Sequence, residues 1–106
     1  MGSFKKKYTT KILELYDELM QIKKTCKSLN LIRKVEFRAF QNLTKNGWNV
    51  DYVSVRSQKT LLGPKNNEKK LVALIAAHLG NVRLIDNIEF ASDYFQVYNS
   101  KLIFIR

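Results

Sequence analysis

The spacing of apolar residues changes once along this chain, close to Gly47. Before this point apolar side chains recur at three- and four-residue steps, which is the period of an α-helix with one buried face. The first set is Ile12, Leu15, Tyr16, Leu19, Ile22 and Cys26, and the second is Ile32, Val35, Ala39, Phe40 and Leu43. The pattern predicts one amphipathic helix over about residues 10–27 and a second that follows a break at residues 28–30.

Polar residues and a glycine at the ends of these segments support the two helices. Thr9 or Thr10 can cap the first helix and Asn30 the second, because their side-chain oxygens accept hydrogen bonds from free backbone N–H groups. Gly47 can close the second helix in the left-handed conformation. The short link between the helices predicts that they pack antiparallel. We expect the turn at Gly47 to direct Trp48 back between helix and sheet.

After Gly47 the sequence favours strands. Residues 50–56 and 82–90 are rich in β-forming residues, and residues 57–68 hold the only proline and form a loop. Residues 70–78 are continuously apolar, which suits a strand covered on both faces but also a helix. The short link at Gly80 and Asn81 favours a hairpin. The sequence therefore predicts an α+β fold, with two N-terminal helices covering one face of a three-stranded, mainly antiparallel sheet.

Three motifs follow one another in this second half. They are VDYVSVR at residues 50–56, LVALIAAHLG at 71–80 and RLIDN at 83–87. In this order they resemble the C-terminal domain of the pantothenate synthetase (pantoate–β-alanine ligase) family, and the likeness covers roughly residues 10–90. It implies a lid domain over residues 10–90, preceded by a leader and flexible lead-in at 1–9. Residues 91–106 would be an extension, either a hairpin or a loosely held tail.

The resemblance also implies an activity that these residues do not complete. The family condenses pantoate with β-alanine through an acyl adenylate, using ATP and magnesium. Its nucleotide site lies on an N-terminal nucleotide-binding domain, with a histidine–glycine–histidine element and a Ser-Ser-Arg-Asn segment. Here His78 is the only histidine, and neither Ser-Ser-Arg-Asn nor a glycine-rich phosphate loop is present. We therefore expect no catalytic residue, no metal ligand and no cofactor of its own in this fragment. Its partners would be that N-terminal domain and, in the full-length protein, ATP and pantoate.

A few residues are candidates for contacts with ligand. Lys65, Lys69 and Lys70 flank the loop and could approach the ATP phosphates in a closed enzyme, or could simply be solvated. The RLIDN strand, which comprises Arg83, Leu84, Ile85, Asp86 and Asn87, is expected to be mainly structural. Arg83 and Asp86 are three residues apart and should face opposite sides of their strand. His78 and Cys26 are interpreted as ordinary edge and packing residues, because no partner for catalysis lies near either in sequence.

The charge of the chain suggests a second function class. Its net charge is +10, and residues 1–45 carry 11 positive and 4 negative side chains, a net charge of +7. Such a field attracts anionic partners, so a free-standing basic nucleic-acid-binding module is the alternative. Specific nucleic-acid binding is not expected, because no RRM, KH or zinc-finger signature is present. The sequence contains no run of about 18 apolar residues, which is the length that would predict a membrane span. The single cysteine is consistent with a reducing cytoplasm.

Overall fold

The computed structural model describes residues 2–65 and 68–91, with side chains from residue 10 onward. The elements are helix α1 (Gly2–Thr25), a 3₁₀ turn (Leu29–Leu31), helix α2 (Ile32–Lys45) and strands β1 (Asn49–Ser57), β2 (Lys70–Leu79) and β3 (Val82–Ala91). The two helices pack on one face of a three-stranded antiparallel sheet, which confirms the predicted α+β fold. The extension predicted after residue 91 lies outside the described residues.

The starts of both helices differ from the prediction. Helix α1 begins at Gly2, so a start at Thr9 or Thr10 and an unstructured lead-in before it are wrong. Lysine is a good helix former, and nothing in this segment breaks a helix. Helix α2 begins at Ile32, and its N-cap is Leu31, which makes no side-chain capping bond. Asn30 lies inside the preceding 3₁₀ turn instead of capping the helix.

The two helices run antiparallel, as predicted. Near the start of α1, the Nζ of Lys11 donates a hydrogen bond to the Asn46 carbonyl just after α2 (2.6 Å). Farther along, Glu18 is hydrogen-bonded to Asn42. Partial burial nevertheless raises the pKa of the Glu18 carboxyl, and the Asn42 bond opposes this rise only in part.

Trp48 packs where the prediction placed it. Gly47 adopts a φ of +97°, a conformation that glycine accepts without strain. The chain then turns back, and the indole is only 3% exposed within the core. Its Nε1–H donates to Oε1 of Glu14 on α1 (2.9 Å), so Trp48 joins both helices to the sheet.

The core lies between the helix pair and the inner face of the sheet. Its buried members include Leu15, Leu19, Ile22 and Cys26 on and after α1, Val35, Ala39 and Leu43 on α2, and Val55, Leu71, Ala73, Ile75, Ala77 and Phe90 on the strands. Three residues of the predicted apolar faces, Ile12, Tyr16 and Phe40, are instead 40–47% exposed. They lie at the edges of the apolar faces of their helices.

The strands match their predicted bounds to within one residue at most ends, and residues 70–78 are a strand and not a helix. Gly80, with a φ of +63°, and Asn81 link β2 to β3. The outer face of the sheet carries no helix or strand among the described residues. Ala76 is nevertheless fully buried there, between Tyr52 and Ile85, its neighbours in register on β1 and β3. Burial on both faces thus explains the unbroken apolar run of β2.

The free edge of β1 is partly covered by helix α2. The backbone N–H of Val55 donates to Oε2 of Glu36 (2.8 Å). At this position the Glu36 carboxylate accepts the hydrogen bond that a backbone carbonyl of a neighbouring strand would otherwise accept. Neither α1 nor α2, over the described range, is long and apolar enough to cross a membrane.

Candidate functional site

The loop between β1 and β2 surrounds an open pocket of about 570 Å³. Gln58, Lys59, Glu68, Lys69 and Lys70 line it. The structure thus brings together two of the three predicted phosphate-contact candidates, Lys69 and Lys70, and adds Lys59. Lys65, the third candidate, is not among the lining residues.

A buried hydroxyl organises this loop. Ser57, the last residue of β1, is fully buried and donates a hydrogen bond to Oε2 of Glu68 (2.6 Å). The Ser57 Oγ also accepts bonds from the backbone N–H groups of Lys59 (3.1 Å) and Thr60 (3.3 Å). One side chain therefore holds both ends of the loop together.

Glu68 is correspondingly held in its charged form. The Ser57 hydroxyl is the main cause that lowers the pKa of the Glu68 carboxyl, followed by the backbone N–H of Lys65, which donates to Oε1 (2.9 Å). The charges of Lys65 and Lys59 act in the same direction. Glu68 thus supplies one negative charge to a pocket that otherwise presents ammonium groups.

Gln58 fixes the floor of the pocket to the sheet. Its Nε2 donates to the Leu71 carbonyl on β2 (2.8 Å), and its backbone N–H donates to the Lys70 carbonyl (3.1 Å). Because three lysines line the pocket, its positive charge can attract an anionic group. Within residues 2–65 and 68–91 there is no group of His, Cys, Asp and Glu side chains suited to hold a metal ion.

A second polar cluster lies at the opposite end of the sheet, on its outer face. Asp51 Oδ2 accepts a hydrogen bond from Nε of Arg83 (2.7 Å) and lies 3.2 Å from Nε2 of His78. The bond from Arg83 is the main cause that lowers the pKa of the Asp51 carboxyl, and His78 adds to it. All three side chains are about one-third to one-half exposed. His78 thus lies beside a carboxylate, close to the turn that links β2 to β3.

Two local features build this cluster. The tight turn at Gly80 and Asn81 sets His78 directly opposite Arg83. A bulge between Val50 and Tyr52 inserts Asp51 as an extra residue in β1, and such an insertion re-aims a side chain. Sequence reasoning missed Asp51, because a bulge has no signal in the alternation of apolar and polar residues. The pairing of His78 with Arg83 could be predicted from the sequence, because a two-residue turn at Gly80 and Asn81 places these residues opposite each other.

Comparison with known proteins decides the family. Residues 3–89 match the model of the pantoate–β-alanine ligase family. The chain belongs to this family. It is 53% identical over 57 residues to the pantothenate synthetase of Methylobacillus flagellatus, an alignment that covers 54% of this chain and 20% of that protein. It is 40% identical over 78 residues to the pantothenate synthetase of Nitrosospira multiformis, covering 73% and 28%.

A third relative gives the same picture. The pantothenate synthetase of Laribacter hongkongensis is 41% identical over 76 residues, covering 71% of this chain and 27% of that protein. The chain thus spans about a fifth to a quarter of the length of the pantothenate synthetases that it matches.

In this ligase-family chain the RLIDN motif forms the first half of β3. Arg83 and Ile85 lie in register with His78 and Ala76 on the outer face, whereas Leu84 and Asp86 lie opposite Ala77 and Ile75 on the inner face. Arg83 and Asp86 therefore face opposite sides, as their spacing predicts. The Asp86 carboxylate accepts a hydrogen bond from the backbone N–H of Asn87 (2.8 Å), which is a local backbone contact.

Proposed function

We propose that residues 10–90 act as the C-terminal lid domain of a pantoate–β-alanine ligase. In this role the domain closes over ATP and pantoate held by an N-terminal nucleotide-binding domain, in the ATP-dependent condensation of pantoate with β-alanine. The proposal depends on one observation. The family match covers residues 3–89, but this range contains a single histidine and therefore cannot supply the histidine pair of the family's nucleotide site. The Nε2 of this histidine, His78, lies 3.2 Å from the Asp51 carboxylate. The comparisons give no support to the nucleic-acid-binding alternative.

The pocket between β1 and β2 supports this role. Lys59, Lys69 and Lys70 present positive charge on a loop that is anchored to the sheet through Gln58 and Ser57. On closure such groups can offset the negative charge of ATP phosphates, and magnesium would share this task in the complete enzyme. Closure would also exclude water from an acyl adenylate that water can hydrolyse.

The test is AMP formation from ATP, pantoate and β-alanine. The 106-residue chain alone should give no turnover, because residues 1–106 lack the histidine pair and the Ser-Ser-Arg-Asn segment of the family. Adding it to a separately produced nucleotide-binding domain from the Methylobacillus flagellatus relative should raise the yield of pantothenate per ATP consumed. Robust turnover by the chain alone would refute the lid role. So would a yield of pantothenate per ATP that does not change when the chain is added to the nucleotide-binding domain.

The same assay tests the lysines. In the two-component mixture, Lys69→Ala together with Lys70→Ala should raise the KM for ATP several-fold. Lys34→Ala, an exposed lysine on α2, is the matched control and should leave it unchanged. An equal KM in both variants would show that the pocket does not meet the phosphates.

A further inference from the structure

The central strand of the sheet is apolar on its outer face as well as on its inner face. In β2, Ile75 and Ala77 belong to the core between the sheet and the helices. Val72, Leu74 and Ala76 alternate with them, point outward and are apolar too. An antiparallel sheet with one face in water usually carries polar residues at such positions. The outer side of β2 therefore has the composition of a covered surface.

Two exposed apolar side chains widen this surface. Tyr52 on β1 and Ile85 on β3 lie on either side of Ala76 in register. Ala76 is fully buried, whereas Tyr52 and Ile85 are 39% and 58% exposed. The three residues thus form an apolar row across the sheet, and the two outer members of the row remain accessible.

The loop after β1 presents two further leucines at this face. Leu61 and Leu62 are 54% and 66% exposed. Leu61 has a φ of +61°, where its Cβ comes close to the following carbonyl oxygen, so this conformation costs free energy. Arg56, an outward residue of β1, donates from Nη1 to the Leu61 carbonyl (3.0 Å), and the Ser57 N–H donates to the Leu62 carbonyl (2.9 Å). Strained backbone that its surroundings hold in place is frequent at binding sites.

The outer face also carries one of the pocket lysines. Lys70 is the first residue of β2 and points to the same side as Val72, two residues farther along. The residues that line the pocket all belong to the loop between β1 and β2 or to the start of β2. A body that brings phosphates to Lys70 therefore meets the outer face, whereas a body on the helices would lie on the opposite side of the sheet.

We propose that the outer face of the sheet, with Tyr52, Ile85 and the Leu61–Leu62 pair, docks on the nucleotide-binding domain of the ligase. This inference rests on the lid role proposed above. The phosphates of bound ATP complement the charge at Lys70. The matched region makes up only 20–28% of the relatives compared above, so their remaining chain is large enough to cover a sheet of this size.

Hydroxyl-radical footprinting of the full chain tests this docking face. The chain is oxidised alone and with an excess of the nucleotide-binding domain of the Methylobacillus flagellatus relative, ATP and magnesium, and mass spectrometry gives the rate for each side chain. The added domain should slow the oxidation of Tyr52, Leu62 and Ile85 several-fold. Leu13 on α1 and Phe37 on α2, which are 54% and 63% exposed, are the matched controls and should react at an unchanged rate.

The other occupants of the face give different results. Protection of Leu13 or Phe37 in place of the outer-face residues would overturn the inference, and so would no protection at any of these positions. In the dilute chain alone, Ile85 should react about as fast as Leu13, since their exposed fractions are similar. A much slower Ile85 would mean that the chain covers its own face. Protection that grows with chain concentration would place a second copy there, and either result would overturn the inference.

Substitutions provide a second measurement. Ile85→Lys and Leu62→Lys should each raise the Kd for the added domain by roughly tenfold or more, because a charge would enter an apolar contact. Phe37→Lys, at a similarly exposed site, should change the Kd less than about twofold. Equal effects of the three variants would reject the docking face.

The assay of AMP formation separates this inference from the lid role. A higher yield of pantothenate without protection of the outer face would leave the lid role intact and reject the docking face. Protection of the outer face without any effect on the yield would have the reverse meaning.

Discussion

Asp51 owes its position to one extra residue in β1. Without the bulge, the regular alternation of the strand would place the side chains of Asp51 and Tyr52 on opposite faces of the sheet. With the bulge, its carboxylate reaches Arg83 on the far strand and His78 on the middle one. At this end of the sheet, side chains thereby link all three strands in addition to the backbone pairing.

The Asp51 cluster should make stability depend on pH. The Arg83 bond lowers the pKa of Asp51 in the folded state, so the cluster stabilises the fold above the unfolded value of about 3.9 and loses this effect as the pH falls through the lowered pKa. Asp51→Asn should therefore be less stable than the unmodified chain at pH 7, and the two should converge near pH 2. Urea unfolding at both pH values measures this.

Asp17→Asn is the control, because Asp17 is exposed on α1. A constant difference between Asp51→Asn and the unmodified chain at all pH values would contradict the role given to the carboxylate.

The secondary-structure elements were predictable to different degrees. The strands were placed well because glycine, proline and asparagine mark their ends. The helix starts were missed because the signals there are ambiguous: a threonine can cap a helix or continue one, and Asn30 can cap a helix or enter a 3₁₀ turn. The bond between Glu36 and Val55 had no sequence signal, because it depends on α2 crossing the edge of β1. The Ser57–Glu68 bond likewise depends on how the loop closes.

Removal of the Glu36 carboxylate should open the edge of β1. In Glu36→Ala the Val55 N–H loses its acceptor, so its exchange should accelerate and the free energy of unfolding should fall by about 1 kcal/mol. Glu36→Gln keeps an oxygen acceptor and should retain most of the protection. Exchange measured by NMR and urea unfolding test both variants. Equal exchange at Val55 in Glu36→Ala and the unmodified chain would show that the bond does not protect this edge.

At the scale of the whole molecule, positive charge exceeds negative charge by 10. Two ion pairs of the described residues are partly exposed: Lys11 with Glu14, and Arg83 with Asp51. Exposed pairs contribute little, whereas repulsion among the excess cations opposes the compact state. The net electrostatic effect on folding should therefore be unfavourable at low ionic strength.

Added salt should for this reason raise the Tm. Between about 0.01 M and 0.15 M ionic strength the screening length falls from about 30 Å to about 8 Å, so repulsion across the molecule weakens. Calorimetry over a sodium chloride series measures the change, and a sucrose series of equal osmolality controls for general solute effects. A Tm that falls with salt would mean that attractive pairs dominate.

The position of Trp48 gives the molecule a built-in optical probe. It is the only tryptophan, and its indole touches the core while bonding to Glu14 on α1. Its emission therefore reports the docking of both helices on the sheet as one event. The lysine pocket lies at the other end of β1, so changes confined to it occur away from this indole. A fluorescence trace and an amide-exchange trace of the same sample would thus separate global unfolding from local opening.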